Sequence, residues 1–264
     1  MTSVTIGSSV SSIGASAFQN CKNLTDVYLH PETAPGISSN SFGPNKITLH
    51  VPNATYLKEP WLSFGTVVPL TGDEFEGADN TIITFDDETV KQKFIGVCDY
   101  TGDGEISMWE AAAVTSIPSF QSYKMTSLNE LKYFTGVRTI PKETFLGCSN
   151  LISITIPEKV TSIGDYAFSG CSSLSSIAIP ENVTSIGEAA FSVCRSLSSI
   201  AIPENVTTIG ESVFSYCSSL SSINIPEKVT SIPSKAFLDC SNLISITIPE
   251  KVTSIGDYAF SGCI

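Results

Sequence analysis

The sequence predicts a solenoid of short strands joined by 3-10 or helical turns, interrupted once by an inserted helix–loop–helix. A block of 23 residues recurs through the second half of the chain, and the stretch 148–171 returns letter for letter at 240–263. A fixed period of this length is typical of proteins in which each coil packs only against its neighbours. Because stacked coils present one long, ordered surface, the pattern favours binding over catalysis.

The composition is that of a globular protein, with 264 residues of which 42% are hydrophobic and 15% charged. The formal net charge of −12 disfavours nucleic acids and anionic membranes as partners, because both are polyanions. We expect no membrane-spanning segment, since no apolar run reaches about 18 residues. Met1 leads directly into repeat sequence and Ile264 stops inside a repeat, so we interpret the chain as a fragment and draw little from its missing signal peptide.

Each repeat predicts two extended stretches and one tight turn. In the copy from Leu174 to Cys194, residues 177–179 alternate and are β-branched, which indicates a short strand. Residues 183–186 predict a second extended stretch with its ends pointing inward, and Gly187 allows a tight bend after it. The apolar residues within 190–194 suit one helical or 3-10 turn.

The other copies, starting from a degenerate one at 137–148, predict interior rows stacked at about the strand spacing of 4.8 Å. The Leu row comprises residues 151, 174, 197, 220 and 243, the inward Ile row residues 154, 177, 200, 223 and 246, and the Phe row residues 168, 191, 214, 237 and 260. Two departures are mild: Pro233 replaces the glycine and Val213 replaces the alanine of their copies.

Seven of the eight cysteines occupy one slot of the repeat, three residues after a Phe. They are Cys21, Cys148, Cys171, Cys194, Cys217, Cys240 and Cys263. A slot that repeats with core residues predicts a buried, reduced ladder, because free cysteine behaves as a small hydrophobe. Disulfides and zinc are the alternatives, and zinc would require pairs such as C-x-x-C, which the sequence lacks.

The N-terminal part carries the repeat once, at residues 4–21, and a second copy opens at 24–29 before the pattern decays. Terminal repeats are atypical because they must close the core. The predicted domains are therefore 1–70, the end of a first array whose residues 30–70 form its C-terminal cap; 71–85, an acidic linker ending in a short apolar strand; 86–117, a helix–loop–helix; 118–136, a segment leading into the second array; and 137–264, the second array, truncated.

The pattern I-x-I-P-x-x-V-T-S-I-G-x-x-A-F-x-x-C resembles the BspA-like, Treponema pallidum-type leucine-rich repeats of bacterial surface proteins. Residues 49–52, followed by Trp61 and Phe64-Gly65, resemble the closing cap of such arrays in gut Bacteroides-type proteins. The resemblance implies a leucine-rich-repeat solenoid that is extracellular or on the cell surface. It also implies a role in adhesion or ligand capture, without identifying the ligand.

One segment between the arrays predicts metal chemistry. Residues 99–110, DYTGDGEISMWE, match a 12-residue EF-hand loop, in which calcium takes six to eight oxygen ligands. Gly104 holds the sharp-turn position, and Ile106 holds the apolar eighth position, which normally packs inward. The predicted ligands of one Ca²⁺ are Asp99, Thr101, Asp103, the Glu105 carbonyl, Ser107 directly or through a water, and bidentate Glu110.

The flanks of this loop predict helices. Asp86 or Asp87 can cap a first helix whose Val90, Phe94 and Val97 share a face, and residues 108–115 suit the second. The insertion resembles half of a dockerin, which has two such loops. The alternative is an acidic turn that binds no metal.

The ligand set bears on what the calcium does. Neutral Thr101 stands where Asp or Asn is usual, which argues for affinity nearer the 10⁻⁴–10⁻³ M extracellular class. A sensor hand opens a Met-rich groove, but this chain has only three Met. We therefore expect a structural calcium that stiffens a joint, with a regulatory switch as the alternative.

No catalytic constellation is predicted, and we do not expect an enzyme. The only histidines, His30 and His50, lie in the cap region, so the serine-rich rows have no general base. Glutamates recur with the repeat at 158, 181, 204, 227 and 250, which favours a solvated turn face over a glycosidase pair.

Two functions stay open. The first is a surface binder of a host or neighbouring-cell surface protein or glycan, and the second is a scaffold that spaces other domains. The strand-face rows of the second array, Ser153, Ser176, Ser199, Ser222 and Ser245 beside Thr155, Ala178, Ala201, Asn224 and Thr247, offer no aromatic platform. Their small side chains weaken the binder interpretation for these repeats.

The two ends of the chain are nearly complementary. Met1 holds the slot of Leu174, where the first strand of a repeat begins, and Ile264 falls just short of that slot. Since open coils leave strand edges unpaired, we expect head-to-tail self-stacking in concentrated samples.

Overall fold

The computed structural model describes residues 1–31, 33–51, 56, 60–69, 81–99 and 103–263. The chain divides into two compact units. Unit 1 contains Met1–Ile83 and Phe94–Ala113, and unit 2 contains Thr84–Lys93 and Val114–Ile264. The domain borders predicted from the sequence stay predictions, and most of the predicted linker 71–85 lies outside the described residues. In the described part of the chain, no helix has the length and apolar character needed to cross a membrane.

Unit 1 is built on a parallel sheet of four strands, which lie side by side in chain order. Its strands are β1 Ser3–Ile6, β3 Asp26–Leu29, β5 Ile47–Val51 and β6 Gly65–Pro69; β2 Ser12–Ile13 pairs separately with β4 Gly36–Ile37. Val27, Leu29 and Leu49 are fully buried, while the residues between them reach the solvent face. The sheet therefore continues through β5 and β6, in the segment that the sequence predicts to be a cap.

Aromatic side chains close the core of unit 1. Phe18 stacks on Phe42 at 5.0 Å, but Phe42 meets Phe64 edge-on, at 82°. Phe64 belongs to the 3-10 helix Trp61–Phe64, where Trp61 is 1% exposed. The edge contact ends the stack of Phe rings in unit 1, because a further coil could continue the stack only on an open ring face.

Unit 2 repeats two parallel strand rows, as predicted. Ser162–Ile163 pairs with Ser185–Ile186, and the shift of 23 residues places like residues opposite one another. The strands are β7 Ser127–Leu128, β8 Thr139–Ile140, β9 Ser153–Ile154, β10 Ser162–Ile163, β11 Ser185–Ile186, β12 Ser199–Ile200, β13 Thr208–Ile209, β14 Ser222–Ile223, β15 Ser231–Ile232 and β16 Ser254–Ile255, and a 3-10 helix covers Asn129–Tyr133. The predicted strand at 177–179 is reduced to single parallel bridges at Ala178.

The interior rows predicted for unit 2 are confirmed. Phe120 and the Phe residues at 145, 168, 191, 214, 237 and 260 form one stack with neighbouring ring centroids 5.1–5.7 Å apart. The Leu row is 0–5% exposed throughout. The Ile and Phe rows are less buried in the last coil, where Ile246 and Phe260 are half-buried. Each ring thus packs against the ring of the neighbouring coil. Contacts between neighbours exclude water from the interior, because a solenoid has no single central core.

The predicted helical or 3-10 turn at 190–194 is wrong. The segment is a run of hydrogen-bonded turns in which Ala189 (φ 48°) and Val193 (φ 62°) are left-handed. The N–H groups of Ala189, Phe191 and Val193 donate to the next coil, at 2.8–2.9 Å. Donors pointing along the solenoid axis cannot close i→i−4 bonds within a coil, so no helix forms.

Gly187 is required by close stacking rather than by its backbone angle. A Cβ there would lie 2.6 Å from the backbone nitrogen of Asp165, and the N–H of Gly187 donates to the Ile163 carbonyl at 2.8 Å. Where Pro233 takes this slot, the donor is lost. No strand pairing joins β13 to β15 in the described chain, so the departure that looked mild in the sequence interrupts one ladder.

Candidate functional site

Two helices flank the loop predicted to bind calcium. The first, α1, spans Glu88–Cys98, and the Asp87 carboxylate accepts the N–H groups of Thr89 and Val90 at 2.8 and 3.2 Å, so Asp87 is the cap. Val90 and Phe94 are buried as predicted, but Val97 is 40% exposed and Cys98 takes the inward place. The second helix, α2, spans Met108–Ala113 and is shorter than predicted.

Within the loop, carboxylates organise the backbone. The Asp99 carboxylate accepts the N–H groups of Asp103 and Gly104 at 3.2 and 3.0 Å, and Asp103 accepts the Glu105 N–H at 2.8 Å. Gly104 has a φ of 78°, a left-handed conformation that favours glycine at the sharp turn. Thr101, the predicted third-position ligand, lies outside the described residues.

The second half of the loop is anchored in the interior of unit 1. Ile106 is fully buried, and its carbonyl accepts the Ile83 N–H at 2.8 Å. Ile82 forms an antiparallel bridge with Ser107, which joins the loop to the segment before α1. Trp109, the next-to-last loop residue, packs in the hydrophobic core of unit 1.

Glu110 is held close to Ser107. Its carboxylate accepts the backbone N–H and the hydroxyl of Ser107, both at 3.0 Å, and its side chain is 1% exposed. The structure thus brings together Glu110 and Ser107, and Asp99 with Asp103. Among the described residues, no three His, Cys, Asp or Glu side chains converge in a metal-holding group.

The repeat cysteines from Cys148 to Cys240 are buried, Cys21 and Cys263 are half-buried, and all eight cysteines are free thiols. The thiols of unit 2 also make contacts between coils: the Cys194 Sγ donates to the Phe168 carbonyl at 3.2 Å, and the Cys217 Sγ to that of Phe191 at 3.1 Å. Burial raises the pKa of Cys194 well above its usual value and that of Cys148 to about 11. A thiolate is the nucleophile, so these groups are positioned for packing rather than reaction.

We expect the thiols from Cys148 to Cys240 to resist alkylation in the folded protein at pH 8. A raised pKa lowers the thiolate fraction at that pH, and burial excludes the reagent. Mass spectrometry after iodoacetamide treatment should find them labelled only when denaturant is added, whereas half-buried Cys21 serves as an internal comparison. Labelling of Cys194 at the rate of Cys21 would contradict the buried ladder.

The solvent face of the strands in unit 2 carries small residues, as the sequence predicts. Ser176, Ser199 and Ser222 are exposed and follow one another from coil to coil. A shallow groove of about 740 Å³ runs over these serines and their neighbours. No aromatic side chain lines it, so the groove provides serine hydroxyls and aliphatic side chains such as Ala178 and Ile200, without a ring face.

The corresponding face of unit 1 carries a cluster that sequence reasoning missed. Tyr28 stacks on His50 with ring centroids 4.2 Å apart and planes 9° from parallel. The His50 Nε2 donates to the Asp26 carboxylate at 2.9 Å, and the Thr25 hydroxyl donates to its other oxygen at 2.8 Å. These hydrogen bonds, that from His50 first, hold the pKa of Asp26 below its usual value. Asp26 and Tyr28 occupy the slots of Ser153 and Thr155, so aligning the two arrays would have exposed the difference.

A known repeat family matches most of the chain. The family model described as BspA type leucine rich repeat region matches six copies, over residues 1–56 and 138–264. A Treponema pallidum leucine-rich repeat protein is 30% identical over 48% of this chain and 70% of its own, with a TM-score of 0.41. A Bacteroides ovatus leucine-rich repeat protein is 28% identical over 69% of this chain and 48% of its own, with a TM-score of 0.47. Among curated proteins, none matches.

Proposed function

Because this chain belongs to the BspA type leucine-rich repeat family, we propose that it is a non-catalytic binding protein of the cell surface or the extracellular space. The observation that carries the proposal is that each coil separates its packing residues from its exposed residues. Interior rows are closed to solvent, while the strand faces stay open and vary between the two units. A rigid scaffold with a variable exposed face supports adhesion to a host or neighbouring-cell surface protein or glycan.

A scaffold that only spaces other domains is the second candidate. The uniform small residues on the strand face of unit 2 favour it for that unit, since such a face lacks the aromatic or Arg anchors of tight interfaces. Pull-down and glycan-array experiments with the intact protein separate the two functions. Selective retention of one ligand supports the binder, and no retention beyond that of a denatured control favours the scaffold. Head-to-tail self-stacking stays a prediction.

We also propose that residues 99–110 hold one structural Ca²⁺. Three observations fit calcium: the donor groups are all oxygens, Gly104 supplies the left-handed turn, and buried Ile106 fixes the loop to unit 1. Asp99, Asp103 and Glu110 would hold the ion with the Glu105 carbonyl, Thr101 and Ser107. The ion would neutralise the carboxylates of the loop, and so stabilise the loop and α2.

We expect Glu110→Ala to abolish calcium binding, because the twelfth position contributes two of the ligand oxygens. Titration calorimetry of the wild-type chain should give a dissociation constant near 10⁻⁴–10⁻³ M, and the variant should give only heats of dilution. Glu105→Ala is the matched control, since residue 105 contributes its carbonyl rather than its side chain. Equal calcium heats for wild type and Glu110→Ala would refute the site.

A structural calcium should also raise the melting temperature, because a ligand that binds only the folded state stabilises it. It should do so without exposing apolar surface. A calcium-dependent increase in the fluorescence of a hydrophobic dye would instead identify a switch.

A further inference from the structure

The solvent face of β3 and β5 in unit 1 carries aromatic and charged side chains where the strand face of unit 2 carries small ones. Unit 2 builds the same strand row with Ser153 and Thr155 in the slots that Asp26 and Tyr28 occupy in unit 1. Its coils nevertheless stack in the same parallel register. The aromatic and charged residues are therefore an addition to the common fold, placed where the side chains reach solvent.

The cluster offers an aromatic face beside an ionised carboxylate. In the sheet register Thr5 lies next to Tyr28 on β1, and Thr5 is exposed. Because a threonine side chain is far smaller than a phenol, the face of the Tyr28 ring that is turned from His50 extends beyond it. The other face is covered by His50, which holds the phenol upright at a ring distance of 4.2 Å.

Hydrogen bonds hold the Asp26 carboxylate, the polar part of the cluster, in a fixed position. The Asp26 side chain is 36% exposed and that of His50 21% exposed, and their 2.9 Å contact fixes both in place. Each Asp26 oxygen accepts one internal hydrogen bond and keeps a further lone pair for an incoming hydroxyl. Ser3 and Thr48 lie beside Asp26 in the register and add hydroxyl groups.

From this geometry we infer that Tyr28, His50 and Asp26 form a binding site for a neutral pyranose glycan. A pyranose has an apolar C–H face, which can lie on the electron-rich face of Tyr28, and vicinal hydroxyls, which can donate to Asp26. An acidic sugar would be repelled by the Asp26 carboxylate and by the net charge of −12. The inference rests on the proposed binding function and names its ligand class.

The test uses the intact chain on a printed array of neutral and sialylated oligosaccharides. We expect at least one neutral oligosaccharide to be retained in preference to its sialylated form. Titration with that oligosaccharide should show Tyr28→Thr and Asp26→Ser binding at least about tenfold more weakly, as expected for loss of a ring contact or a charged hydrogen bond. Both replacements are the residues that unit 2 carries in the same slots, so these variants should fold.

Ala178→Thr in unit 2 is the matched control, because its slot corresponds to that of Tyr28, and its affinity should equal that of the wild type. The His50 ring resonances should shift on titration in the wild type, which reports contact directly. Glycan binding that the Tyr28 and Asp26 substitutions leave unchanged would overturn the site while the binding function stands. A preference for sialylated glycans, or capture of a protein with no glycan, would overturn the ligand class. If the chain retains neither a glycan nor a protein, both the glycan site and the proposed binding function are overturned.

Discussion

Phe191→Ala should cost about 3–5 kcal/mol in the free energy of unfolding, the range for truncating a buried aromatic side chain. Phe191 is fully buried, and its ring lies 5.3 Å from that of Phe168 and 5.7 Å from that of Phe214. Truncation therefore leaves a cavity in the middle of the stack that two flanking coils cannot fill. Urea unfolding followed by circular dichroism measures the loss.

Phe260→Ala is the control for this substitution. Phe260 stacks on Phe237 at 5.3 Å but is only half-buried, so its truncation opens less of a cavity. We expect it to cost less than half as much as Phe191→Ala. A loss below about 1 kcal/mol at Phe191 would place that ring outside the core.

Gly210→Ala should destabilise the chain by about 1–3 kcal/mol or more, the cost of forcing atoms into a filled space. A Cβ at this position would lie 2.3 Å from the backbone nitrogen of Glu188 and 2.4 Å from the Gly187 carbonyl carbon. Both contacts are with backbone, which cannot turn aside as a side chain can. The same urea titration detects the change.

Gly14→Ala tests whether this effect comes from stacking. Gly14 occupies the same slot in unit 1, but a Cβ there would meet no atom within 4 Å. Its replacement should be neutral or slightly stabilising, because alanine restricts the unfolded chain. Equal destabilisation at both positions would show that the glycine slot is set by local conformation instead.

The same contrast limits what a sequence pattern can predict. Both glycines follow an Ile at the end of a V-x-x-I stretch, and nothing local distinguishes them. The difference arises because Gly210 lies against the backbone of the preceding coil, to whose Ile186 carbonyl its N–H donates at 2.9 Å, whereas Gly14 lies in the first coil described. Crowding between coils is a property of the stack and is absent from any single repeat.

The sequence by itself determined the period of the solenoid and the identity of its interior. Apolar residues at a fixed spacing of 23 must fall above one another in stacked coils, so the Leu, Ile, Phe and Cys rows followed from the spacing alone. It also determined that Asp87 or its neighbour begins a helix, because a cap is a local interaction.

Contacts across coils and strands were decided by the tertiary structure. The turn at 189–194 is not helical, because every second N–H group in it donates to the next coil. Ser107 holds the Glu110 carboxylate in the loop for which we propose calcium binding. Tyr28, Asp26 and His50 meet only because β5 adds to the sheet 22 residues after β3, one residue short of the period of the second array. Register between strands is set by the packing of both faces, and an isolated segment contains only one side of that packing.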